Sequence, residues 1–331
     1  MDIRNRRELK QAAASALGAV PGEKRIIAVY AGVGAALALV ATLLELWLGT
    51  LVEAASGLAA MGSRAIWQTA QNVLPLLQSL LLICWSFGYR RVLMEIRSGR
   101  AVTPRNLTDT FSFLWPILRL TLLQYLILLG LGLACVYLGT MLFLVTPFSN
   151  TLVAQLQSLT DQSSILSGDI ALSAQLLEAV YDAYIPLTCV ILAVCLPVLV
   201  PVLYSMRMAP YILLETPQIY ARYAIAGSRR MLHRNRWALF RLDLSFWWYY
   251  LLSVLAALVG YADLLLPLVG ITLPLGSMAG SLLCYLISLL AQFGISYAFQ
   301  NQVEMTYVQA YEALKPKPQS GGVVLGNIFQ M

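Results

Sequence analysis

Charge is the first thing this sequence lacks: 11% of its 331 residues are Asp, Glu, Lys or Arg, where a soluble domain carries roughly 25%. So little polar surface leaves the 59% of hydrophobic residues to meet a medium other than water, and lipid is the one that accepts helices with apolar exteriors. A single histidine, His233, excludes Ser-His and Cys-His nucleophile pairs and any two-histidine metal site within one chain. The five cysteines (Cys84, Cys135, Cys189, Cys195, Cys284) lie inside apolar runs with no CxxC spacing, the pattern of small core residues rather than of a metal or redox centre. Neither a GxxxxGK[ST] nor a GxGxxG phosphate loop occurs. With no constellation of nucleophile, base and metal ligand, the residues point away from an enzyme and call for no cofactor.

What is present is long apolar runs. A membrane-crossing helix needs about 20 such residues, and six segments qualify: Ile26 to Thr50, Val73 to Gly88, Leu120 to Val145, Ala183 to Met206, Leu244 to Tyr261 and Leu275 to Phe299. The first is far longer than the roughly 7 to 15 residues of a signal-peptide core, so it reads as a retained span. The expected fold class is therefore all-α: a polytopic membrane helix bundle of six transmembrane helices plus cytoplasmic interfacial amphipathic helices. Residues 1–314 form one six-span membrane domain, with a disordered cytoplasmic tail over 315–331.

Orientation follows from lysine and arginine in short loops, which resist translocation. Of the 22 basic residues, all but Arg64 and Arg119 fall in the N-terminal segment, the second-to-third loop, the fourth-to-fifth loop or the C-terminal tail. These share one side, so both termini are expected in the cytoplasm and the protein in the plasma membrane. Arg119 belongs at the inner boundary of span three, where a long side chain can snorkel to headgroups. The opposite-side loop over 146–182 carries Asp161, Asp169, Glu178 and Asp182 and reads as an extracytoplasmic connector, with a lid as the alternative.

Two basic helices are expected on the inner surface. Within residues 1–25, Leu9, Ala13, Ala16, Leu17 and Val20 recur at helical spacing before the Pro21-Gly22 break. Within 207–243, Thr216-Pro217 opens a helix on which Tyr220, Tyr223, Ala224, Gly227 and Met231 share one face. Arg222, Arg229, Arg230, Arg234 and Arg236 become the candidate contacts to anionic lipid or a partner protein. The alternative is that these arginines only set orientation.

An internal likeness cuts across the chain. The stretch Trp115 to Leu122 aligns without gaps on Trp237 to Leu244, with tryptophan, arginine and two leucines identical. Each copy follows a basic loop containing Thr-Pro and leads into a span. A parallel repeat accounts for this, and so does the recurrence of Trp and Arg at interfaces. Asp243, just before span five, sits about one turn inside the inner membrane boundary, where Arg119 or Arg241 can pair with it as a structural ion pair if the spans adjoin. Pro197 and Pro201 interrupt span four and form a candidate hinge.

The stretch from Arg207 through Leu252, with Pro217, Ala224, Ser228, Met231, Arg236, Phe240 and Asp243-Leu244-Ser245-Phe246, resembles domain-of-unknown-function family nine-seven-five of bacterial integral membrane proteins. The opening Arg7-Glu8-Leu9-Lys10 helix and the closing Tyr307 to Leu314 segment are similar too. The resemblance implies a six-span bundle in a bacterial plasma membrane, more distantly like the membrane domain attached to some glycerophosphodiester phosphodiesterases; it supplies no catalytic residues. The functional expectation is a non-catalytic membrane module whose basic inner face engages anionic lipid or a protein partner, not nucleic acid. The alternative is a small-solute or lipid transporter or channel with the proline-kinked fourth helix lining the path.

Overall fold

Backbone polar groups in lipid can be satisfied within one segment only by a helix, and the computed structural model of the chain is built accordingly. It describes residues 3, 5–54, 58–147, 149–150, 170–262 and 277–315, with no strand among them. In chain order the helices are α1 (Arg6–Gly18), α2 (Glu23–Ala54), α3 (Leu58–Arg97), α4 (Leu114–Leu144), α5 (Ile170–Met206), α6 (Ala209–Glu215), α7 (Ala221–Leu232), α8 (Arg236–Leu244), α9 (Trp247–Gly260), α10 (Ser277–Ile295) and α11 (Asn301–Leu314). Two 3-10 turns, Pro104–Leu107 and Asp109–Phe113, precede α4, and a π-helical turn, Ser296–Gln300, joins α10 to α11.

Among the described residues five helical stretches are long and apolar enough to cross a membrane: Glu23–Val52, Ile66–Arg97, Pro104–Leu144, Pro186–Glu215 and Gly280–Leu314. The pair α8 and α9 makes a sixth if counted as one broken span, bent by 59°. The chain is thus an all-α polytopic membrane bundle. Most of the 146–182 loop, the 264–274 segment and the tail beyond Lys315 lie outside the described residues.

The helices group into two compact units, Met1–Leu118 with Met208–Met331, and Arg119–Arg207. In the second, α4 and α5 run antiparallel in constant register. Gln124 Nε2 donates to the Met206 carbonyl at 3.3 Å, Cys135 meets Cys195, and a Cβ on Gly139 would sit 3.0 Å from Ile191 Cα. Gly139 is what allows these two backbones to approach so closely. Pro197 and Pro201 both lie inside α5, which continues through them, and both are exposed on its surface.

In the first unit α2 and α3 are antiparallel, with the Tyr30 ring stacked on Tyr89 at 4.2 Å and Trp85 Nε1 donating to the Tyr30 carbonyl at 3.0 Å. Helix α3 ends in a left-handed glycine: Gly99 has φ +74°, its N–H reaches the Ile96 carbonyl at 3.0 Å, and the Arg100 N–H reaches Glu95 at 3.1 Å. Glycine adopts this conformation without a Cβ penalty and so closes the helix with its last carbonyls paired. Further up α3, a Cβ on Gly88 would collide with the Leu107 carbonyl, so the first 3-10 turn can seat only against glycine.

Helix α11 ties this unit together, although its sequence is more polar than the spans. Tyr89 Oη donates to Asn301 Oδ1 at 2.5 Å and Asn301 Nδ2 to the Glu23 carbonyl at 3.4 Å. Tyr211 Oη donates to Glu304 at 3.3 Å, with Arg90 3.8 Å from the same carboxylate. Gln309 Nε2 donates to the Ala12 carbonyl of α1 at 3.4 Å, and Tyr311 Oη donates to Glu215 of α6 at 2.6 Å. Burying these polar groups is tolerable because nearly all of them find a partner, the Gln309 carbonyl oxygen being the exception. Helix α1 lies along α11 and α3 with Leu9, Ala13 and Leu17 almost fully buried, so protein rather than lipid covers its apolar face.

Three expectations change. Thr216-Pro217 does not open α7: Thr216 caps the end of α6, and α7 starts at Ala221 after Tyr220. Span five does not begin as one helix at Leu244: α8 stops there and α9 starts at Trp247. The Ser245 hydroxyl donates back to the Leu242 carbonyl at 2.6 Å, and Phe246 is buried at 2% exposure beneath Lys10, whose Nζ is 4.0 Å from the ring centre. A backbone-seeking serine beside an anchored aromatic turns the chain off the helix axis. The buried face of α7 is also rotated from the one expected. Ala224, Ile225, Ser228 and Leu232 pack inward, with the Met208 N–H donating to Ser228 Oγ at 3.1 Å, while Tyr220 and Tyr223 are exposed. Tyrosine, apolar in body and polar at its tip, was a poor marker of the buried side.

The two similar stretches share their environments as well as their residues. Trp115 and Trp237 are 61% and 62% exposed, whereas Ile117, Leu120, Leu239 and Leu242 are all buried. One step earlier, Thr110 and Leu232 are both fully buried. The likeness therefore extends from sequence to position in the fold.

Candidate anion-binding site

The arginines of the α7 to α8 corner build one concavity. Arg229 and Arg230 stand in the last turn of α7, where the helix dipole favours cations. The chain then turns through His233, Arg234 and Asn235, with the His233 N–H on the Arg230 carbonyl at 3.4 Å and the Asn235 N–H on Leu232 at 3.0 Å. Arg236 opens α8, whose N-cap Asn235 makes no side-chain capping bond. Arg229, Arg230, Arg234 and Arg236, with His233 and Asn235, line a cavity of about 510 Å³.

Among the described residues lining it there is no carboxylate. Arg236 Nε is buried with no hydrogen-bond partner, which is costly for a charged donor until an acceptor arrives. Guanidinium forks and the start of a helix both suit the oxygens of a phosphate group. Beside the cavity, Trp237 is 62% exposed, stacked on Phe240 at 5.0 Å and covered by the Arg241 guanidinium at 5.5 Å. An exposed tryptophan next to a cationic hollow is the residue that prefers headgroup depth.

Four of the five arginines singled out in the sequence meet here, and the fifth does not. Arg222 sits at the other end of α7, donating to Tyr223 Oη at 3.1 Å and lying 4.8 Å from that ring and 5.9 Å from Tyr220. Of the expected ion-pair group, Arg241 is exposed and Asp243 buried, on different sides of α8, and the Asp243 carboxylate accepts from Tyr307 Oη at 2.5 Å. Arg119 is exposed near the start of α4.

A second hollow of about 530 Å³ escaped the sequence reading, because its walls come from segments far apart in the chain. The ends of α3, α6 and α11 bring Arg97 and Arg100 opposite Glu215 and Glu312 over Phe113 and Leu214. Its two signs of charge offset one another, unlike those of the α7 to α8 corner. Among the described residues no group of three or more His, Cys, Asp or Glu side chains is placed to hold a metal.

Comparison with known proteins adds no relative. No family model, curated protein or solved structure matches the chain.

Proposed function

We propose that this chain is a non-catalytic membrane module of a bacterial plasma membrane whose cytoplasmic face holds the headgroups of anionic phospholipids. The observation that carries the reading is the convergence of Arg229, Arg230, Arg234 and Arg236 on one hollow without a carboxylate, beside the exposed Trp237. Charge selects an anion, and the tryptophan selects one presented at a membrane surface. The resemblance to family nine-seven-five fits the same placement.

The orientation in this reading rests on the positive-inside tendency and on packing. Helix α1 lies against α11, and the starts of α2 and α11 meet the end of α3, so the basic ends of these helices gather at one end of their unit. That end faces the cytoplasm.

A basic residue near an anionic membrane surface contributes about 1 kcal/mol. Removing three of them in Arg229→Gln/Arg234→Gln/Arg236→Gln therefore weakens phosphatidylglycerol binding by roughly a hundredfold. Thermal unfolding of the full chain in neutral detergent, titrated with phosphatidylglycerol or phosphatidylcholine, tests this. Stabilisation by phosphatidylglycerol alone, lost in the triple variant, is the expected outcome; equal stabilisation by both lipids would refute the reading.

A further inference from the structure

A separate cavity of about 290 Å³ lies within the spans of the first unit, between α2, α3 and the junction of α10 with α11. It exists because α2 presents small residues, Ala31, Gly34 and Ala35, where the facing helices present larger ones. Opposite them, Gln292, Ser296 and Gln300 recur every four residues along one face of an otherwise apolar helix. The last two bound the π-helical turn, a distortion frequent at functional sites because it breaks the regular ladder. Polar side chains inside a span are expensive and mark function more often than packing.

The polarity of this cavity is graded along the membrane normal. Helix α2 runs away from the basic end while α3 and α10 run back toward it, so Tyr30, Trp85, Ser296 and Gln300 gather at the basic end. Ala35, Leu82 and Leu289 gather deeper. Along α2 the lining extends from Tyr30 to Ala35, about 7 Å at 1.5 Å per residue. Gln300 lies beside the Tyr30 side chain, and Gln292 donates to the Ser253 carbonyl at 2.6 Å, which leaves its own carbonyl oxygen as an acceptor. None of the described residues lining the cavity is an acid, a lysine, an arginine or a histidine. No lining side chain among them would offer an ionised ligand a counter-charge.

We infer that this cavity binds an uncharged, hydroxyl-headed lipid of the acylglycerol type, its hydroxyls among Ser296, Gln300 and Gln292 and its chain against Leu82 and Leu289. The volume supports such an occupant: at about 30 Å³ per water it holds roughly ten, enough for a glycerol head and its first methylenes but not for a second helix. The site is distinct in place and in chemistry from the arginine hollow.

Photolabelling the full chain in detergent with a diazirine-bearing monoacylglycerol tests the inference, with peptide mapping of the adducts. Label is expected on peptides containing Tyr30 to Ala35 and Leu289 to Gln300, at least tenfold reduced in Ser296→Leu/Gln300→Leu. Ala35→Leu, which fills the deep end and leaves every polar group in place, is expected to reduce it similarly. Thermal unfolding identifies a variant that fails to fold, and the other then carries the test. Arg229→Gln/Arg234→Gln/Arg236→Gln leaves this labelling unchanged, so failure here and failure of the anionic-lipid reading are told apart. Labelling elsewhere in the chain, undiminished labelling in the folded cavity variants, or equal labelling by a diazirine fatty acid or phosphatidylglycerol would overturn the inference.

Discussion

Tyr307 and Asp243 meet in the interior of the larger unit, the tyrosine Oη donating to Asp243 Oδ1 at 2.5 Å while Tyr250 Oη lies 2.8 Å from Tyr307 Oη. Asp243 belongs to the bent α8, Tyr250 to α9 and Tyr307 to α11, so one polar chain fastens both halves of the broken span to the helix that organises the unit. Removing the central hydroxyl leaves a buried carboxylate short of a donor, which costs about 1 to 3 kcal/mol. Tyr307→Phe is expected to lower the thermal unfolding midpoint in detergent clearly more than Tyr250→Phe, which keeps the bond to Asp243. Equal effects from the two variants would count against Asp243 as the anchor of this network.

Backbone approach gives a sharper contrast between glycines. Gly88→Ala places a Cβ into the Leu107 carbonyl, an atom that cannot move aside without shifting the 3-10 turn. Gly34→Ala places one 4.0 Å from the Leu82 side chain, an ordinary contact. The first is expected to destabilise by about 1 to 3 kcal/mol, as overpacking does. The second, replacing a helical glycine by alanine, is expected to be neutral or stabilising by up to about 1 kcal/mol. Paired unfolding curves check the order.

In the smaller unit the same reasoning applies to α4 and α5. Gly139→Leu drives a side chain into Ile191, whose Cα and Cγ1 both stand 3.0 Å from the position of a Cβ. Gly130 and Gly132 of the same helix meet nothing within 4 Å, so Gly130→Leu serves as the control. Proteolysis of the detergent-solubilised protein is expected to be faster in Gly139→Leu only.

Much of the architecture was legible in composition. Spans built on α2, α4 and α5 announce themselves as uninterrupted apolar runs, because a helix alone satisfies such a backbone within one segment in lipid. Helix α3 was underestimated: its first turns carry Gln68, Thr69, Gln71 and Asn72, which an apolar window rejects although the helix runs from Leu58. Helix α11 was hidden for a related reason, since Asn301, Glu304 and Tyr307 read as polar until their partners on α2, α3, α6 and α8 are known. At the Ser245-Phe246 bend Lys10 covers the buried Phe246, a contact between residues more than two hundred positions apart. At the arginine hollow, residue type and rough location were legible. That Arg229, Arg230, Arg234 and Arg236 converge while Arg222 turns away to Tyr223 depends on how α7 sits on α6.

Sidedness has its own test. With the native cysteines replaced by serine, single cysteines introduced at Glu8 and at Arg97 are expected to resist a membrane-impermeant maleimide in intact cells and to react once the membrane is opened. Glu8 is exposed on α1 and Arg97 ends α3. Labelling of either in intact cells would reverse the proposed orientation.

The central claim, that the α7 to α8 corner holds an anionic headgroup, is met most directly by native mass spectrometry of the full chain released from nanodiscs of equimolar phosphatidylglycerol and phosphatidylcholine. The account predicts retained phosphatidylglycerol in clear excess on the wild-type protein, falling toward an even mixture in Arg229→Gln/Arg234→Gln/Arg236→Gln but not in Arg222→Gln. An even mixture on the wild type, or an excess that survives the triple substitution, would contradict it.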